Sequence, residues 1–115
     1  MKEKTLIRRT TKSGVARVTI PQKMYDMANL DTDTEYLCSL NTKEMILYYH
    51  PSKQVGSMPL GSYKIYEGAK TQSPSIGVPR PYADMVYGYS PAAWISIDTD
   101  TKLITVEMIY KYGKR

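Results

Sequence analysis

The chain has 115 residues, 42% of them hydrophobic and 23% charged, with a net charge of +5, one Cys and one His. That length supports one compact domain or two very small ones. A single cysteine excludes an internal disulfide and a cysteine-based zinc site, and the lone His50 leaves few nucleophile–base or metal clusters to consider. No apolar run approaches the roughly 20 residues of a membrane helix, and the charged segment Met1 to Thr5 is unlike a signal peptide. The expectation is therefore a cytoplasmic protein, in nucleoid or host-cell cytoplasm, with no membrane partner.

In chain order, Thr5 to Arg9 reads as a strand anchored inward by Ile7. Thr10 to Gly14 has turn chemistry. Arg17-Val18-Thr19-Ile20 alternates, with Val18 and Ile20 on one face and Arg17 and Thr19 on the other. Pro21 suits the start of a helix, where its missing N–H costs nothing. The helix is expected over Gln22 to Leu30, burying Met24, Met27 and Ala28, with Lys23 and Asp26 facing solvent. Asp31 to Asp33 forms a turn. Thr34 to Leu40 alternates again, placing Tyr36, Cys38 and Leu40 together. Asn41-Thr42-Lys43 turns the chain into a return strand, Met45 to Tyr49. Cys38 reads as a small apolar core residue.

Residues 51–61 carry two Pro and two Gly without periodicity and read as a linker. From Ser62 the plan repeats 58 residues on, as from Ile7 to Ile65, with no gap. Val18 falls on Ile76, Ile20 on Val78, Pro21 on Pro79, Asp26 on Asp84 and Met27 on Met85. Tyr36 then falls on Trp94, Leu37 on Ile95 and Ile46 on Ile104. The register of apolar positions, rather than identity, carries the repeat. The second helix begins at Pro79 to Pro81 and buries Tyr82, Met85 and Val86. Gly88 to Pro91 ends it. A last hairpin, Trp94 to Asp98 and Leu103 to Ile109, turns at Asp98 to Thr101. The units are thus residues 1–50 and 62–115, together one compact domain.

The positive charge is concentrated. Residues 1–23 hold Lys2, Lys4, Arg8, Arg9, Lys12, Arg17 and Lys23 against Glu3 alone. A cationic cluster of this kind suits phosphate, because each neutralised phosphate releases counterions. It also suits a solvated surface. The chain has eleven Tyr and no Phe, a bias that resembles small proteins of crenarchaeal viruses. Tyrosine combines an apolar body with a hydroxyl that wants a partner.

The first unit resembles the AbrB/MazE-like (SpoVT-AbrB) swapped-hairpin DNA-binding family. The likeness rests on Arg8-Arg9, the Ser13-Gly14 turn, Arg17-Val18-Thr19-Ile20-Pro21, the helix ending Ala28-Asn29-Leu30, the acidic turn and the hairpin Glu35 to Tyr49. It covers residues 5–50 closely and 62–110 more weakly. The resemblance implies an α+β, mostly β fold. Tandem β-β-α-β-β units would interleave into an intrachain pseudo-dimeric barrel, since about 45 residues cannot bury a core alone. Pairing between chains, in a homodimer, is the other arrangement; a linker spanning about 30 Å permits both. The implied partner is double-stranded DNA, contacted by Arg8, Arg9, Lys12, Ser13, Arg17 and Lys23. In the second unit Lys64, Lys70 and Arg80 contribute, while Tyr66 replaces Arg8 and Ser75 replaces Arg17. Some relatives carry arginines at the helix start where this chain has Tyr25 and Asp26.

The implied function is a sequence-specific transcriptional regulator without cofactor, metal or small-molecule substrate. An antitoxin-like interaction module is a second reading, although residues 110–115 are a short tail for wrapping a partner. A single-stranded nucleic-acid binder is a third, given the tyrosines. Enzymatic function is not expected, because Asp26 and Asp84 recur on a helix face without a His, Cys or metal-ligand companion.

Overall fold

The computed structural model describes residues 2–9, 16–68, 73–87 and 92–108. It is mostly β. The elements are β1 (Lys2–Arg9), β2 (Ala16–Thr19), α1 (Gln22–Met27), β3 (Glu35–Asn41), β4 (Ile46–His50), β5 (Met58–Tyr66), β6 (Ser75–Val78), α2 (Arg80–Tyr87), β7 (Ala92–Ile97) and β8 (Ile104–Met108). The strands close into one antiparallel barrel in the order β1-β2-β6-β5-β3-β4-β8-β7. Around it, hairpins from the first and second halves of the chain alternate.

The ladders repeat between halves. Ile7 pairs with Val18 and, 58 residues on, Ile65 pairs with Ile76. Cys38 pairs with Tyr49, but the matching pair is Ile95 with Val106, only 57 residues on. The same shift relates the two hairpin turns. Asn41 Oδ1 accepts the N–H groups of Lys43 and Glu44, and Asp98 Oδ1 accepts those of Asp100 and Thr101. Met45 and Lys102 close these turns at φ 58° and 64°.

One residue is therefore missing from the second half between Ala83 and β7, and the ungapped repeat is corrected there. Tyr36 corresponds to Ala93, not Trp94; Leu37 corresponds to Trp94, and Leu47 to Ile104. The reason is the two-residue period of a strand, in which a slip of one exchanges inside for outside. Tyr36, Ala93 and Ile95 are buried, whereas Leu37 is exposed and Trp94 half-exposed.

Alternation builds the core. Ala16 and Val18 point in while Arg17 and Thr19 are only partly covered; Ala93, Ile95 and Ile97 do the same on β7. Val18, Ile20, Met24, Leu47, Ile76 and Val106 have no exposed surface. Tyrosines also fill volume in the core, and two of them bond backbone carbonyls. Tyr49, fully buried, donates to the Gly77 carbonyl at 2.7 Å, and Tyr82 donates to the Met45 carbonyl at 3.3 Å. Where the first half sets Thr5 against Thr19, through a 2.6 Å hydrogen bond, the second sets Tyr63 against Gly77. A Cβ on Gly77 would lie 2.7 Å from the Tyr63 ring.

The first helix is shorter than expected. It ends at Met27, which is 60% exposed and outside the core, so Met24 and Ala28 form the buried face without it. Asn29 takes the left-handed conformation, φ 55°, that releases the chain. Leu30 N–H returns to the Tyr25 carbonyl and Asn29 N–H to the Asp26 carbonyl, the paired bonds of a Schellman ending. Lys102, from the β7–β8 turn, donates to the carbonyls of Ala28 and Asn29 at 2.6 and 3.4 Å, so the far hairpin caps this helix. In α2, Tyr82 is buried; the side chains of Asp84, Met85 and Val86 lie outside those described.

The expected linker is partly strand. β5 starts at Met58, and Met58 and Pro59 pair with Leu40 and Ser39 on β3. Before it, His50 Nδ1 accepts the N–H groups of Ser52 and Lys53, and Gly56 N–H donates to the buried Ser39 Oγ at 2.7 Å. A Cβ at Gly56 would meet the Leu40 backbone at 2.7 Å. Because backbone cannot yield as a side chain can, Gly56→Ala should destabilise by about 1–3 kcal/mol, read as a lower midpoint in urea.

Burial also sets an alkaline limit. It raises the Cys38 thiol from 9.0 to about 12, against an opposing hydrogen bond with Tyr49, and raises Tyr36 from 10.0 to about 12. Tyr49 shifts upward for the same reason. The fold therefore holds protons that the unfolded chain gives up first. Their contribution is complete below pH 9 and is lost as pH rises through about 12. Urea midpoints should fall across that window, and a maleimide at pH 8 should label Cys38 only after unfolding.

Candidate nucleic-acid interface

β1 and β2 bring Arg8 and Arg17 together as direct cross-strand partners. Ile7, Ala16 and Val18 beside them are buried, so both arginines take the outer wall; Arg8 is exposed and Arg17 half-covered. Like charges directly opposite each other weaken a sheet. Among the described residues, neither guanidinium has an acidic partner. Arg17 also pairs with Gly77 on β6, and its guanidinium reaches past that strand to the ring of Tyr66 on β5, 4.7 Å from the centroid. Tyr66 is 52% exposed. A row of cation, cation and open aromatic thus crosses four strands.

The other anticipated positions fall differently. Arg9 lies at the end of β1 with its side chain outside those described, and Lys12, Ser13 and Lys70 lie outside the described residues. Lys23, on α1, pairs with Glu3 at 3.4 Å. Glu3 is five positions from Arg8, about 17 Å along the strand, so Lys23 is not part of the arginine row. Lys64 is exposed on β5, opposite Glu35 in register, and Arg80 is exposed at the start of α2.

Two aromatics complete the surface. Tyr66 occupies the second-half position of Arg8, at the 58-residue spacing from Arg8 to Tyr66. That spacing points to it as the pseudo-symmetric neighbour of Arg17, although its residue type does not suggest a cationic site. Trp94 sits opposite Lys4 on β7, with the ammonium groups of Lys2 and Lys4 at 5.2 and 5.8 Å from its ring centre. The ungapped repeat hides it by assigning Trp94 to an inward position.

Among the described residues, no group of three or more His, Cys, Asp or Glu could hold a metal ion. No described helix is long and apolar enough to cross a membrane. Asp26 is exposed, bonded by Gln22 Nε2 at 3.1 Å. Hydrogen bonds from Asp33, Thr34, Asp100 and Thr101 hold the Asp31 and Asp98 carboxyls below the usual range, as befits turn residues. No known family, curated protein or solved structure matches the chain.

Since Arg8 faces a like charge, its removal should not harm the fold. Arg8→Gln should leave unfolding free energy within about 0.5 kcal/mol of the parent or raise it. A loss above that would assign Arg8 a structural task instead.

Proposed function

We propose that the protein is a double-stranded DNA-binding transcriptional regulator of the AbrB-like type. Two interleaved swapped-hairpin units, the second diverged, form its barrel within one polypeptide. The supporting observation is the Arg8–Arg17 pair: two permanent cations side by side on the wall, without a described carboxylate to neutralise them, and extended by Tyr66. Such an arrangement weakens the free protein slightly and is satisfied by a polyanion.

The alternation of hairpins around the barrel supports the interleaved reading, as does the recurrence of the β1–β2 and β3–β4 ladders in β5–β6 and β7–β8. On this reading Arg8 and Arg17 contact phosphates or guanine edges, and Arg9, Lys12 and Ser13 are further candidate contacts. Lys64 and Arg80 give the second half a weaker share.

Fluorescence anisotropy with a labelled duplex across a salt series tests this. Affinity should fall steeply with salt, and the Arg8→Ala, Arg17→Ala double variant should bind more weakly, its log–log slope flatter by about 2. Unchanged affinity and slope in that variant would reject the reading.

A further inference from the structure

We infer that Trp94, Lys2 and Lys4 form a second, separate contact that takes an unpaired nucleotide, its base on the indole and its phosphates on the two ammoniums. This rests on the DNA-binding reading and specifies the form of DNA: a duplex with an opened or single-stranded extension.

The first argument is chemical. In a duplex the base faces are covered by their neighbours, so a flat aromatic flanked by cations has no match there. An unpaired nucleotide offers an open π-face and phosphates within reach of the flanking charges, the combination that single-strand binders use. Lys2 and Lys4 already hover over the ring at 5.2 and 5.8 Å, both exposed, with Trp94 half-exposed between the strands. A phosphate draws the ammoniums off the indole face as the base arrives.

The second argument is position. Lys2, Lys4, Leu6 and Arg8 alternate along the outer face of β1, with Thr5 and Ile7 turned the other way. Lys4 and Arg8 are four residues apart, about 14 Å. A strand leaving the Arg8–Arg17–Tyr66 row therefore reaches Trp94 within a few nucleotides. Glu107, the register partner of Trp94 on β8, bounds the path on its far side, and Glu3 is held by Lys23.

The third argument is asymmetry. At the matching positions of the other half stand Leu60, Ser62 and Leu37, with no cation and no ring. The barrel does not need this trio, since its counterpart lacks it.

Trp94 is the single tryptophan of the chain, so its emission reports on the site directly. The probes are a labelled blunt duplex, the same duplex with a ten-thymidine extension, and a fifteen-thymidine strand. Anisotropy and tryptophan emission are followed together. Extended and single-stranded probes should quench Trp94, and the blunt duplex should not. Lys2→Ala with Lys4→Ala, and separately Trp94→Leu, should each weaken extended-duplex binding about tenfold while changing blunt-duplex affinity less than twofold. Since the lysines are exposed, their replacement spares the fold, and it covers the case in which Trp94→Leu does not fold. Blunt and extended duplexes bound equally, with unchanged emission, would overturn this inference and leave the duplex reading standing. Binding to neither duplex would overturn both.

Discussion

Barrel closure is the constraint on which everything else rests. Each half of the chain supplies two hairpins, and these hairpins are not neighbours. β2 meets β6 and β4 meets β8 across the halves, while β1 and β5 each join a partner from the opposite half. A half left alone would expose the edges of both its hairpins and an apolar face too small to form a core. Closure removes those edges and encloses a shared interior in which the hydroxyls of Tyr49 and Tyr82 bond backbone carbonyls.

That shared interior leaves the outer wall free to differ between halves. Most inward positions are apolar in both halves, as Ile7 against Ile65 and Val18 against Ile76 illustrate. Outward positions have diverged, as Arg17 against Ser75 and Trp94 against Leu37 illustrate. Compensation between neighbouring strands is also visible: Thr5 beside Thr19 occupies the place that Tyr63 beside Gly77 fills in the other half. The polar chemistry proposed to engage DNA lies on the part of the structure least tied to stability.

Much of the barrel was legible in the chain because strands advertise themselves by alternation and the two halves repeat their turns. The Arg17 to Ile20 pattern, the Pro21 helix start and the Asn41 and Asp98 turns all fall where local chemistry puts them. The single-residue gap before β7 was only partly legible: Ile95 and Ile97 alternate with Ser96 and mark the inward face, but matching the aromatic Trp94 to the aromatic Tyr36 hides the slip. Cross-strand pairing fixes the register outright, and pairing is a long-range property. Met27 was misplaced for a related reason. Its spacing fits the buried stripe, but in this short helix only Met24 and Ala28 meet the core, and Met27 at the helix end stays exposed. The β5 start at Met58 was hidden by Pro59 and Gly61, which suit a loop equally well. Of the surface, the basic charge could be read directly. The aromatic partners could not, because Arg17 and Tyr66 meet through an intervening strand.

The pairing of β1 with β7 has a temporal side. During synthesis β1 emerges from the ribosome long before β7, the strand that will flank it, and one of its edges stays unpaired until that later strand has been made. Contacts this distant in sequence slow folding, since a long loop must be closed before they can form. The charged residues Lys2, Lys4 and Arg8 on that waiting strand are well suited to the interval, because a cationic edge resists adhering to another nascent copy of itself.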